Sequence, residues 1–361
     1  MKLQFQSGAE LNDALKTLAA ITKPGTMPMS ENMLIESAGA QIIGTANDLV
    51  SQVRLALPLE ADEDGAFTVN AKRLAGVAQS LSAGRAGTLT VEEDKVVLKS
   101  GRTRCAMQTL PADEYPLMDV GGTTHAVTLP AASLYTCMDR THAAMGVKDV
   151  RYYLNGLFTK IEDGRLLTVA TDGSRMARYS VEVDSDAAFE GILPRDAIKE
   201  IMKLCKAGGD VTVTATTRHY CFGFDGGMTF TTKLIDGRFP DYQRVIPPRR
   251  ESCTIQVAEF VQALNRLVLM SPKNSIVIDK KGDEISLSTV TGDLPSHGSD
   301  AVNCEGGGDL HAGFNAPYML DALAPVRADS ILFDYSGSDA AIAIYDPDDE
   351  QYLGIVMPIR L

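Results

Sequence analysis

The sequence predicts an α+β protein made of three tandem copies of one domain, each with two helices on one face of an antiparallel sheet. Two sets of sequence landmarks recur at the same intervals of 124 and 121 residues. Between the landmarks, strand-like and helix-like segments follow one another in the same order. The chain length of 361 residues is enough for two or three ordinary domains, which agrees with a repeated architecture.

The two landmarks keep a constant distance from each other. The first is a strand-like segment that ends in a turn, and these segments end at Asp48, Asp172 and Asp293. The second is a short apolar strand leading into a helix, whose first turn is opened by Asn70, Pro194 and Asn315. In every copy the two landmarks are 22 positions apart, so coincidence is a poor explanation.

A third landmark, an aromatic residue followed by proline, closes the first two copies. It occurs at Tyr115-Pro116 and again 124 residues later at Phe239-Pro240. Proline-bearing connectors follow both pairs and are typical of linkers. The landmarks predict domains at residues 1–124, 125–250 and 251–361.

Each copy also shows the same series of elements. Opening strands are predicted at residues 2–6, 125–129 and 253–257. They lead into helices with apolar residues at i, i+3, i+4 and i+7, at residues 9–21, 131–145 and 258–270. Second helices are predicted at residues 71–81, 194–206 and 316–326. Alternating segments at residues 88–100, 211–224 and 331–345 predict hairpins.

Composition indicates a globular protein that does not enter a membrane. Hydrophobic residues make up 45% and charged residues 22% of the chain. The first residues lack the apolar core of a secretory signal, and no apolar run approaches the roughly 20 residues of a spanning helix. We therefore expect a cytoplasmic protein. Its six widely spaced cysteines predict reduced thiols rather than disulfides or a metal site.

No pattern of residues indicates an enzyme, a cofactor or a bound metal. The sequences GxxxxGK[ST], HExxH and GxSxG are absent, and the five histidines lie far apart. The glycines at 306–308 predict a turn. The acidic strings at 60–64 and 346–350 predict solvated hairpin turns rather than calcium loops. The string Asp172–Arg175 contains an acid and a hydroxyl, but no base accompanies them and the repeat makes Asp172 a turn residue.

Several long motifs resemble the bacterial DNA polymerase III beta subunit family, the beta sliding clamps. They lie at residues 100–116, 149–156, 168–177, 233–247 and 355–361, and the resemblance runs from end to end. It implies a non-enzymatic processivity factor that encircles duplex DNA and tethers the replicative polymerase. It also implies a head-to-tail homodimer, in which two chains of three clamp domains close a pseudo-sixfold ring with helices lining the pore.

The resemblance further implies which segments form the contact between subunits. In this family the first domain of one chain meets the third domain of the other. By that resemblance the edge strand around Arg104–Met107 pairs near Leu269–Ser275, which would protect exposed strand edges. The interface residues expected from this are Arg104, Cys105, Met107, Leu269 and Met270.

The formal net charge of −13 argues at first against DNA binding, since proteins that neutralise phosphates usually have a basic face. The six predicted helices, however, together carry +2, which leaves −15 for the remainder of the chain. A mildly basic pore suits a ring that holds DNA by enclosure and slides on it. The expected DNA-contacting residues are Lys23, Lys72, Arg73, Lys148, Tyr152, Tyr153, Arg195, Lys199 and Lys203.

These DNA contacts have simpler competing interpretations. Lysine and arginine also occur on any solvated helix face. Tyr152 and Tyr153 could instead be buried in a strand formed by residues 151–156.

The resemblance also implies a cleft between the second and third domains that binds short peptides carrying apolar anchors and a glutamine. From sequence alone the apolar terminus at 355–361 is slightly better explained as a packed last strand, and the resemblance shifts that balance toward the cleft. By position the cleft comprises Leu154, Thr171, Gly173, Ser174, Arg175, Met176, Pro240, Arg244, Val245, Asn315, Tyr318, Ile355, Val356, Met357, Pro358, Ile359 and Arg360. Family members often have His-Arg-Leu where this chain has Ser174-Arg175-Met176, which predicts altered affinity or partner preference.

The partners expected are double-stranded DNA, the replicative polymerase subunit, the clamp loader, and other polymerases and repair proteins carrying a clamp-binding peptide. One alternative from another class is open. The protein could be a DNA-independent scaffold that gathers partners through the same cleft.

Overall fold

A computed structural model describes the chain from residue 1 to 361 except residues 26, 40, 82–83, 123–124, 272 and 291–296. The predicted turn residue Asp293 therefore lies outside the described residues. The described part contains six α-helices and 25 strands. Every strand pair whose register is described is antiparallel, as in the pairing of β2 (Asn32–Ala38) with β3 (Gln41–Asn47).

The strands and helices of the first third, in chain order, have the following bounds. They are β1 (Lys2–Phe5), α1 (Gly8–Ile21), β2, β3, β4 (Ser51–Ala56), β5 (Glu60–Ala61), β6 (Gly65–Asn70), α2 (Ala71–Ser80), β7 (Gly87–Glu92), β8 (Lys95–Ser100) and β9 (Thr103–Gln108).

The middle and last thirds repeat this order without a counterpart of β5. The middle third contains β10 (His125–Pro130), α3 (Ala131–Thr141), β11 (Gly156–Glu162), β12 (Arg165–Thr171), β13 (Arg175–Glu182), β14 (Phe189–Pro194), α4 (Arg195–Cys205), β15 (Asp210–Ala215), β16 (His219–Phe224) and β17 (Thr229–Lys233). The last third contains β18 (Glu251–Gln256), α5 (Val257–Met270), β19 (Ser275–Lys281), β20 (Glu284–Thr289), β21 (Ser299–Glu305), β22 (Leu310–Asn315), α6 (Ala316–Leu323), β23 (Ser330–Tyr335), β24 (Ile342–Asp346) and β25 (Asp349–Val356).

The chain forms two compact units, residues 1–128 with 209–233 and residues 129–208 with 234–361. The first unit contains a five-stranded sheet of order β5-β1-β7-β8-β9 and an eight-stranded sheet of order β10-β15-β16-β17-β4-β3-β2-β6. The second unit contains a 12-stranded sheet of order β14-β11-β12-β13-β25-β24-β23-β18-β21-β20-β19-β22. The middle copy of the repeat contributes strands to both units, and the predicted boundaries at 124 and 250 stay a prediction.

Two strand pairs join consecutive copies of the repeat within these sheets. We call the pairing of β4 with β17 the first junction, which begins at Ser51 opposite Thr232. We call the pairing of β13 with β25 the second junction, which begins at Arg175 opposite Val356. In both junctions, the strand that follows the landmark turn of one copy pairs with the last strand of the next copy.

The helices pack in pairs, α1 with α2, α3 with α4 and α5 with α6. Their apolar spacing explains this, because residues at i, i+3, i+4 and i+7 share one helical face. In α1 the buried residues include Leu11, Leu15 and Leu18. In α4, Ile198 and Ile201 are buried while Lys199 on another face is exposed. The predicted α+β class with two helices in each copy is confirmed.

The helix-start landmarks are also confirmed by local geometry. The Asn70 side chain accepts a hydrogen bond from the Arg73 amide at 3.0 Å, and Asn315 accepts one from Tyr318 at 3.1 Å. Both side chains cap the first turn of their helices, α2 and α6. Pro194 precedes α4 without a side-chain cap.

Candidate functional site

A pocket of about 180 Å³ lies at the end of the second junction, where β12 turns into β13 and β25 ends. The loop before β11 and the connector after β17 complete its walls. Its lining consists of Arg151, Tyr153, Leu154, Thr171, Gly173, Arg175, Met176, Pro240, Asp241, Tyr242, Val245, Ile355 and Met357. All of these residues belong to the second unit.

The turn between β12 and β13 is held by the Asp172 side chain. One carboxylate oxygen of Asp172 accepts hydrogen bonds from the amides of Ser174 at 2.9 Å and Arg175 at 3.1 Å. Gly173 has φ of +89°, a conformation that a residue with a Cβ adopts only with strain. A Cβ on Gly173 would also approach the Arg151 guanidinium at 2.9 Å. The turn therefore places its backbone at the pocket wall.

Met176 of β13 and Ile355 of β25 form the apolar floor of the pocket. Met176, Leu353 and Ile355 are buried in one cluster with Phe158 and Phe239. The rings of Phe158 and Phe239 stack with centroids 4.9 Å apart. Such a floor favours apolar side chains of a ligand, because burying them removes apolar surface from water.

The loop before β11 closes on itself. The Asn155 side chain accepts from the Asp149 amide and donates to the Asp149 carbonyl, both at 2.8 Å. Arg151 donates to both carboxylate oxygens of Asp149, at 3.0 and 2.7 Å, and to the Asp172 carbonyl at 2.8 Å. The hydrogen bonds from Arg151 lower the pKa of Asp149 to about 2. Arg151 thus ties this loop to the turn at Asp172.

Arg175 connects the same turn to α6 of the last third. Its Nε donates to Asp172 at 3.1 Å, and its Nη1 pairs with Asp321. Its guanidinium lies over the Tyr318 ring, 4.3 Å from the centroid, a favourable contact between a cation and an aromatic face. These contacts leave the aliphatic part of Arg175 as a fixed edge of the pocket.

The chain terminus divides into a buried strand and a strip beside the pocket. Ile355 and Val356 are buried in β25, whereas the Met357 amide donates to the Ser174 carbonyl at 2.8 Å. The Ile359 amide donates to the Gly313 carbonyl of β22 at 2.8 Å. The packed-strand interpretation of the apolar terminus therefore holds for residues 355 and 356, while the role of residues 357–360 in a peptide cleft stays a prediction. A second groove, of about 1120 Å³, is lined by Asp309, Leu310, His311, Ala312, Gly313, Ser338, Asp339, Met357, Pro358, Ile359, Arg360 and Leu361.

The pocket brings together about half of the predicted cleft residues. Those that line it are Leu154, Thr171, Gly173, Arg175, Met176, Pro240, Val245, Ile355 and Met357. Pro358, Ile359 and Arg360 line the second groove instead. Asn315 caps α6, Tyr318 stacks on Arg175, Ser174 supplies its carbonyl to Met357, and Arg244 is paired at the surface with Asp241.

Four lining residues are absent from the predicted cleft, namely Arg151, Tyr153, Asp241 and Tyr242. Tyr153 is among the predicted DNA contacts, but its ring faces this pocket. Residues 152–154 form a short 3-10 turn rather than a strand, and Tyr152 is 57% exposed. The alternative of a strand that buries both tyrosines is therefore wrong, because the closed loop at Asp149–Asn155 leaves no room for extended backbone.

In the first unit, three of the predicted DNA contacts lie around one pocket of about 230 Å³. These residues are Lys23, Lys72 and Arg73, with Asn70 and Glu31 beside them. Lys23 Nζ also pairs with Asp48 at 2.9 Å, so part of its charge is balanced within the protein.

In the second unit, the remaining predicted DNA contacts differ in how much charge they present. Lys148 and Lys199 are exposed, whereas Lys203 pairs with Glu200 at 2.7 Å. Arg195 donates to the carbonyls of Met145 and Gly146 at 3.0 and 3.4 Å. Its guanidinium stabilises the start of the loop before β11, a structural role that sequence reasoning missed.

The predicted interface residues occupy an edge strand and an exposed helix end. β9 is the last strand of the five-stranded sheet, with Arg104 exposed and Met107 buried. Leu269 is 85% exposed at the end of α5. The expected contact of β9 near Leu269–Ser275 stays a prediction. Residues 269 and 270 end α5, and Ser275 begins β19, whose two sides are taken by β20 and β22, so this segment itself offers no open strand edge.

The last third of the chain has a free strand edge on β21. Residues 299–303 of β21 pair with β20, whereas β18 begins to pair with β21 only at Cys304. In the described part of the chain, no strand covers the other side of residues 299–303.

The acidic string at 346–350 also differs from its prediction. It does form the turn between β24 and β25, but the Asp346 side chain has no exposed surface and accepts from the Arg327 amide at 2.7 Å. Asp346 is buried because Arg140 lies within ion-pair distance, at 3.6 Å. The other string, at 60–64, contains the two-residue strand β5 and lies largely exposed.

The described residues contain neither a cluster of side chains suited to a metal ion nor a helix that could span a membrane. No group of three or more His, Cys, Asp or Glu side chains is placed to hold a metal ion. No helix is long and apolar enough to cross a membrane. The six cysteines are free thiols, and burial raises the pKa of Cys137 and of Cys205 to about 12.

Comparison with protein families gives three consecutive matches. Residues 1–119 match the N-terminal domain of the DNA polymerase III beta subunit, residues 128–241 its central domain, and residues 243–360 its C-terminal domain.

Individual relatives match over the whole chain. The beta sliding clamp of Pseudomonas aeruginosa is 30% identical and that of Escherichia coli K12 is 29% identical, with at least 98% of each chain covered. The crystal structure of the P. aeruginosa DNA polymerase III subunit beta superposes with a TM-score of 0.95 at 30% identity, covering 100% of both chains. A structure of the P. aeruginosa sliding clamp bound to griselimycin matches with a TM-score of 0.93, 30% identity and 100% coverage of both chains.

Proposed function

This chain belongs to the DNA polymerase III beta subunit family and functions as a sliding clamp, and we propose that it acts as a homodimeric ring that tethers partner proteins through the pocket at the second junction. The observation that carries the proposal is the geometry of this pocket. It joins an apolar floor to a polar rim of fixed backbone groups, which is the combination that recognises short peptides.

The pocket and the terminal strip divide the recognition of a peptide between them. The floor formed by Met176 and Ile355 accepts apolar anchors of the peptide. The Thr171 hydroxyl donates its proton to the Arg175 carbonyl and accepts from the Gly173 amide, which leaves one lone pair that can accept from the amide of a glutamine side chain. The strip at 357–360 borders both the pocket and the second groove, so an extended peptide that leaves the pocket meets these residues next.

DNA is held mainly by enclosure. Exposed cations such as Lys72, Arg73, Lys148 and Lys199 supply weak phosphate contacts that salt screens readily. A chain of net charge −13 gains little from tight phosphate binding, and weak contacts permit sliding. Tyr152, exposed beside Lys148 in the chain, is available to pack against sugar or an unstacked base.

Ring closure uses the edges of the first and last thirds. We assign β9, with Arg104, Cys105 and Met107, to one side of the contact. The other side consists of Leu269, Met270 and the uncovered edge of β21 at residues 299–303. Pairing two free edges satisfies their backbone groups and removes an aggregation-prone surface. The contact is head-to-tail, and its closure after two chains yields a ring rather than a fibre.

The remaining parts of the proposal follow from membership of this family. The clamp has no catalytic activity of its own. It is opened and placed on DNA by a clamp loader, and it serves other polymerases and repair proteins besides the replicative polymerase. It works in the cytoplasm, where the bacterial chromosome lies.

Retention on circular DNA tests the ring directly. After loading onto a nicked circle, the wild-type protein should stay bound in high salt and leave once the circle is cut, because topology rather than charge holds it. Leu269→Asp, which places a charge at the subunit contact, should abolish retention. Leu117→Asp alters another exposed apolar residue, outside that contact and outside both grooves, and should behave as wild type.

The opposite result separates this function from a DNA-independent scaffold. A scaffold would bind circular and linear DNA equally poorly, and cutting the circle would change nothing. That outcome for the wild-type protein contradicts the ring.

A further inference from the structure

Arg140 is a buried cation of the second unit that none of the functions above uses. It lies in the last turn of α3, and its side chain is only 7% exposed. A guanidinium remains charged at any physiological pH, so its burial requires partners. Those partners come from the last third of the chain rather than from the neighbourhood of α3.

The partners of Arg140 surround it from across the second junction. Its Nη2 lies 3.2 Å from Asp349 and its Nη1 lies 3.6 Å from Asp346, whose side chain has no exposed surface. Nη1 also donates to the carbonyl of Pro325. The guanidinium lies 5.4 Å from the centroid of the Tyr179 ring. The Arg140 side chain, which belongs to the middle copy, thus contacts residues 325, 346 and 349 of the last copy.

Tyr179 extends the same cluster onto β13. Its hydroxyl donates to Asp349 at 2.9 Å. The neighbouring Ser180 hydroxyl donates to Gln351 at 2.7 Å. These side-chain contacts begin where the backbone pairing of β13 with β25, from Arg175 to Arg178, ends. The cluster therefore clamps one end of the second junction.

The peptide pocket occupies the other end of the same two strands. Met176 and Ile355 lie opposite each other in the junction and both line the pocket. Tyr179 is three residues further along β13, a distance of about 10 Å at the rise of an extended strand. Any change in how β25 lies against β13 at the cluster is transmitted to the pocket through these short, rigid strands.

We propose that Arg140 is a positioning residue for the peptide pocket, because it fixes the register and angle at which β13 meets β25. This inference rests on the peptide-binding function proposed above. A slip of one residue between the strands would turn every side chain to the opposite face. It would also leave the buried charges of Arg140 and Asp346 without their partners, which is strongly unfavourable. The cluster thus selects one arrangement of the junction.

The Arg175 contacts hold the pocket end less firmly than the Arg140 cluster holds the other end. Arg175 is paired with Asp172 within its own turn and with Asp321, which is partly exposed. Water can replace partners of an exposed pair but not those of a buried one. Arg140 therefore carries the larger share of the constraint on the strand arrangement.

The test compares Arg140→Met with Lys281→Met at a temperature where both variants remain folded. Lys281 forms an exposed pair with Asp279 on β19, far along the sheet order from the junction, and serves as the control. The probe is a fluorescently labelled peptide with two apolar anchors and a glutamine. Arg140→Met should weaken its binding by about 5- to 20-fold, the range typical of coupling between sites. Lys281→Met should leave it unchanged.

Hydrogen exchange distinguishes positioning from a general loss of stability. In Arg140→Met, backbone amides of 175–178 and 353–356 should exchange faster, while those of the β11–β12 hairpin keep their wild-type rates. Arg140→Lys retains the charge but loses the forked geometry, and should restore part of the affinity. Wild-type affinity and wild-type exchange at the junction in folded Arg140→Met would overturn the proposal.

A milder variant covers the case in which Arg140→Met does not fold. Tyr179→Phe removes only the hydroxyl that binds Asp349, and should weaken the peptide about two- to threefold with faster exchange at 175–178. Unchanged exchange in Tyr179→Phe would then overturn the proposal. Failure of the wild-type protein to bind the peptide would instead reject the proposed peptide function, and the exchange experiment would still decide the role of Arg140.

Discussion

The two junctions between copies of the repeat share one backbone geometry but differ in what covers them. At the first junction the Lys233 amide donates to the Val50 carbonyl at 2.8 Å, and at the second the Met357 amide donates to the Ser174 carbonyl at 2.8 Å. The turns that accept these bonds begin at Asp48 and Asp172, the residues of the landmark. At the second junction the described residues form an apolar pocket, which we propose as the peptide site.

At the first junction the connector that follows the copy is tied down by polar side chains. Asn47 donates to the Pro116 carbonyl at 2.9 Å, and Gln52 accepts from the Met118 amide at 3.0 Å. The Tyr115 hydroxyl accepts from the Asn47 amide at 3.1 Å and donates to the Asn32 carbonyl at 3.3 Å. The connector therefore lies bonded against the turn.

At the second junction, 124 residues later, Thr171 and Met176 replace Asn47 and Gln52. The Thr171 hydroxyl turns inward to the Arg175 carbonyl at 2.6 Å, and Met176 is buried in the apolar cluster. Phe239, which replaces Tyr115, has no hydroxyl and stacks on Phe158. Two of these replacements, Gln52 by Met176 and Tyr115 by Phe239, are from polar to apolar. The connector of the second junction therefore forms one wall of the pocket and leaves its apolar floor open. We infer from this difference that side-chain polarity, rather than backbone geometry, determines which junction binds a ligand.

The largest expected effect comes from giving the second junction the residue of the first. Met176→Gln places an amide in the apolar floor without hydrogen-bond partners, which should cost about 2–3 kcal/mol of unfolding free energy. Peptide binding should fall at least about tenfold, since the anchor loses its apolar contact. Chemical denaturation and a peptide titration measure the two effects. Wild-type values for both would show that floor polarity does not distinguish the junctions.

A smaller effect is expected from loosening the first junction. Tyr115→Phe removes the hydroxyl and leaves the Asn47 amide and the Asn32 carbonyl without that partner, which should cost about 1–2 kcal/mol of unfolding free energy. Affinity for the peptide should remain that of wild type, because the hydroxyl belongs to the other junction. A stability loss accompanied by weaker peptide binding would mean that the two junctions do not act separately.

Much of the fold could be predicted from the sequence because its signals are local. Helix caps at Asn70 and Asn315 depend on the residue and its next turn, and the 124-residue spacing of Tyr115 and Phe239 is visible in the chain itself. The pocket residues around Asp172 were found through the family resemblance of a long motif. Local pattern and family motif therefore account for the elements and for half of the pocket.

What could not be predicted depends on contacts between distant segments. Asp346 belongs to a string of acidic residues that normally indicates a solvated turn. Its burial is explained by Arg140, 206 positions away in the chain, and by the hydrogen bond from the Arg327 amide. Arg195 resembles a free cation until its bonds to the 145–146 carbonyls are seen. Leu269 lies near the end of helix α5. The sequence pattern alone does not show whether such an exposed apolar residue belongs to a helix end or to a strand edge. Burial and pairing of charges are properties of the folded chain, so composition alone does not reveal them.

The central claim, that the second junction and not the first binds the peptide, is tested most directly by one matched titration. The same labelled peptide is titrated with wild type, Met357→Ala and Lys233→Ala, whose residues occupy equivalent places at the two junctions. Met357→Ala should weaken binding about tenfold, near 1.4 kcal/mol, because the side chain borders both grooves. Lys233→Ala should match wild type. Unchanged binding by Met357→Ala, or an equal loss in Lys233→Ala, would contradict the assignment of peptide binding to the second junction.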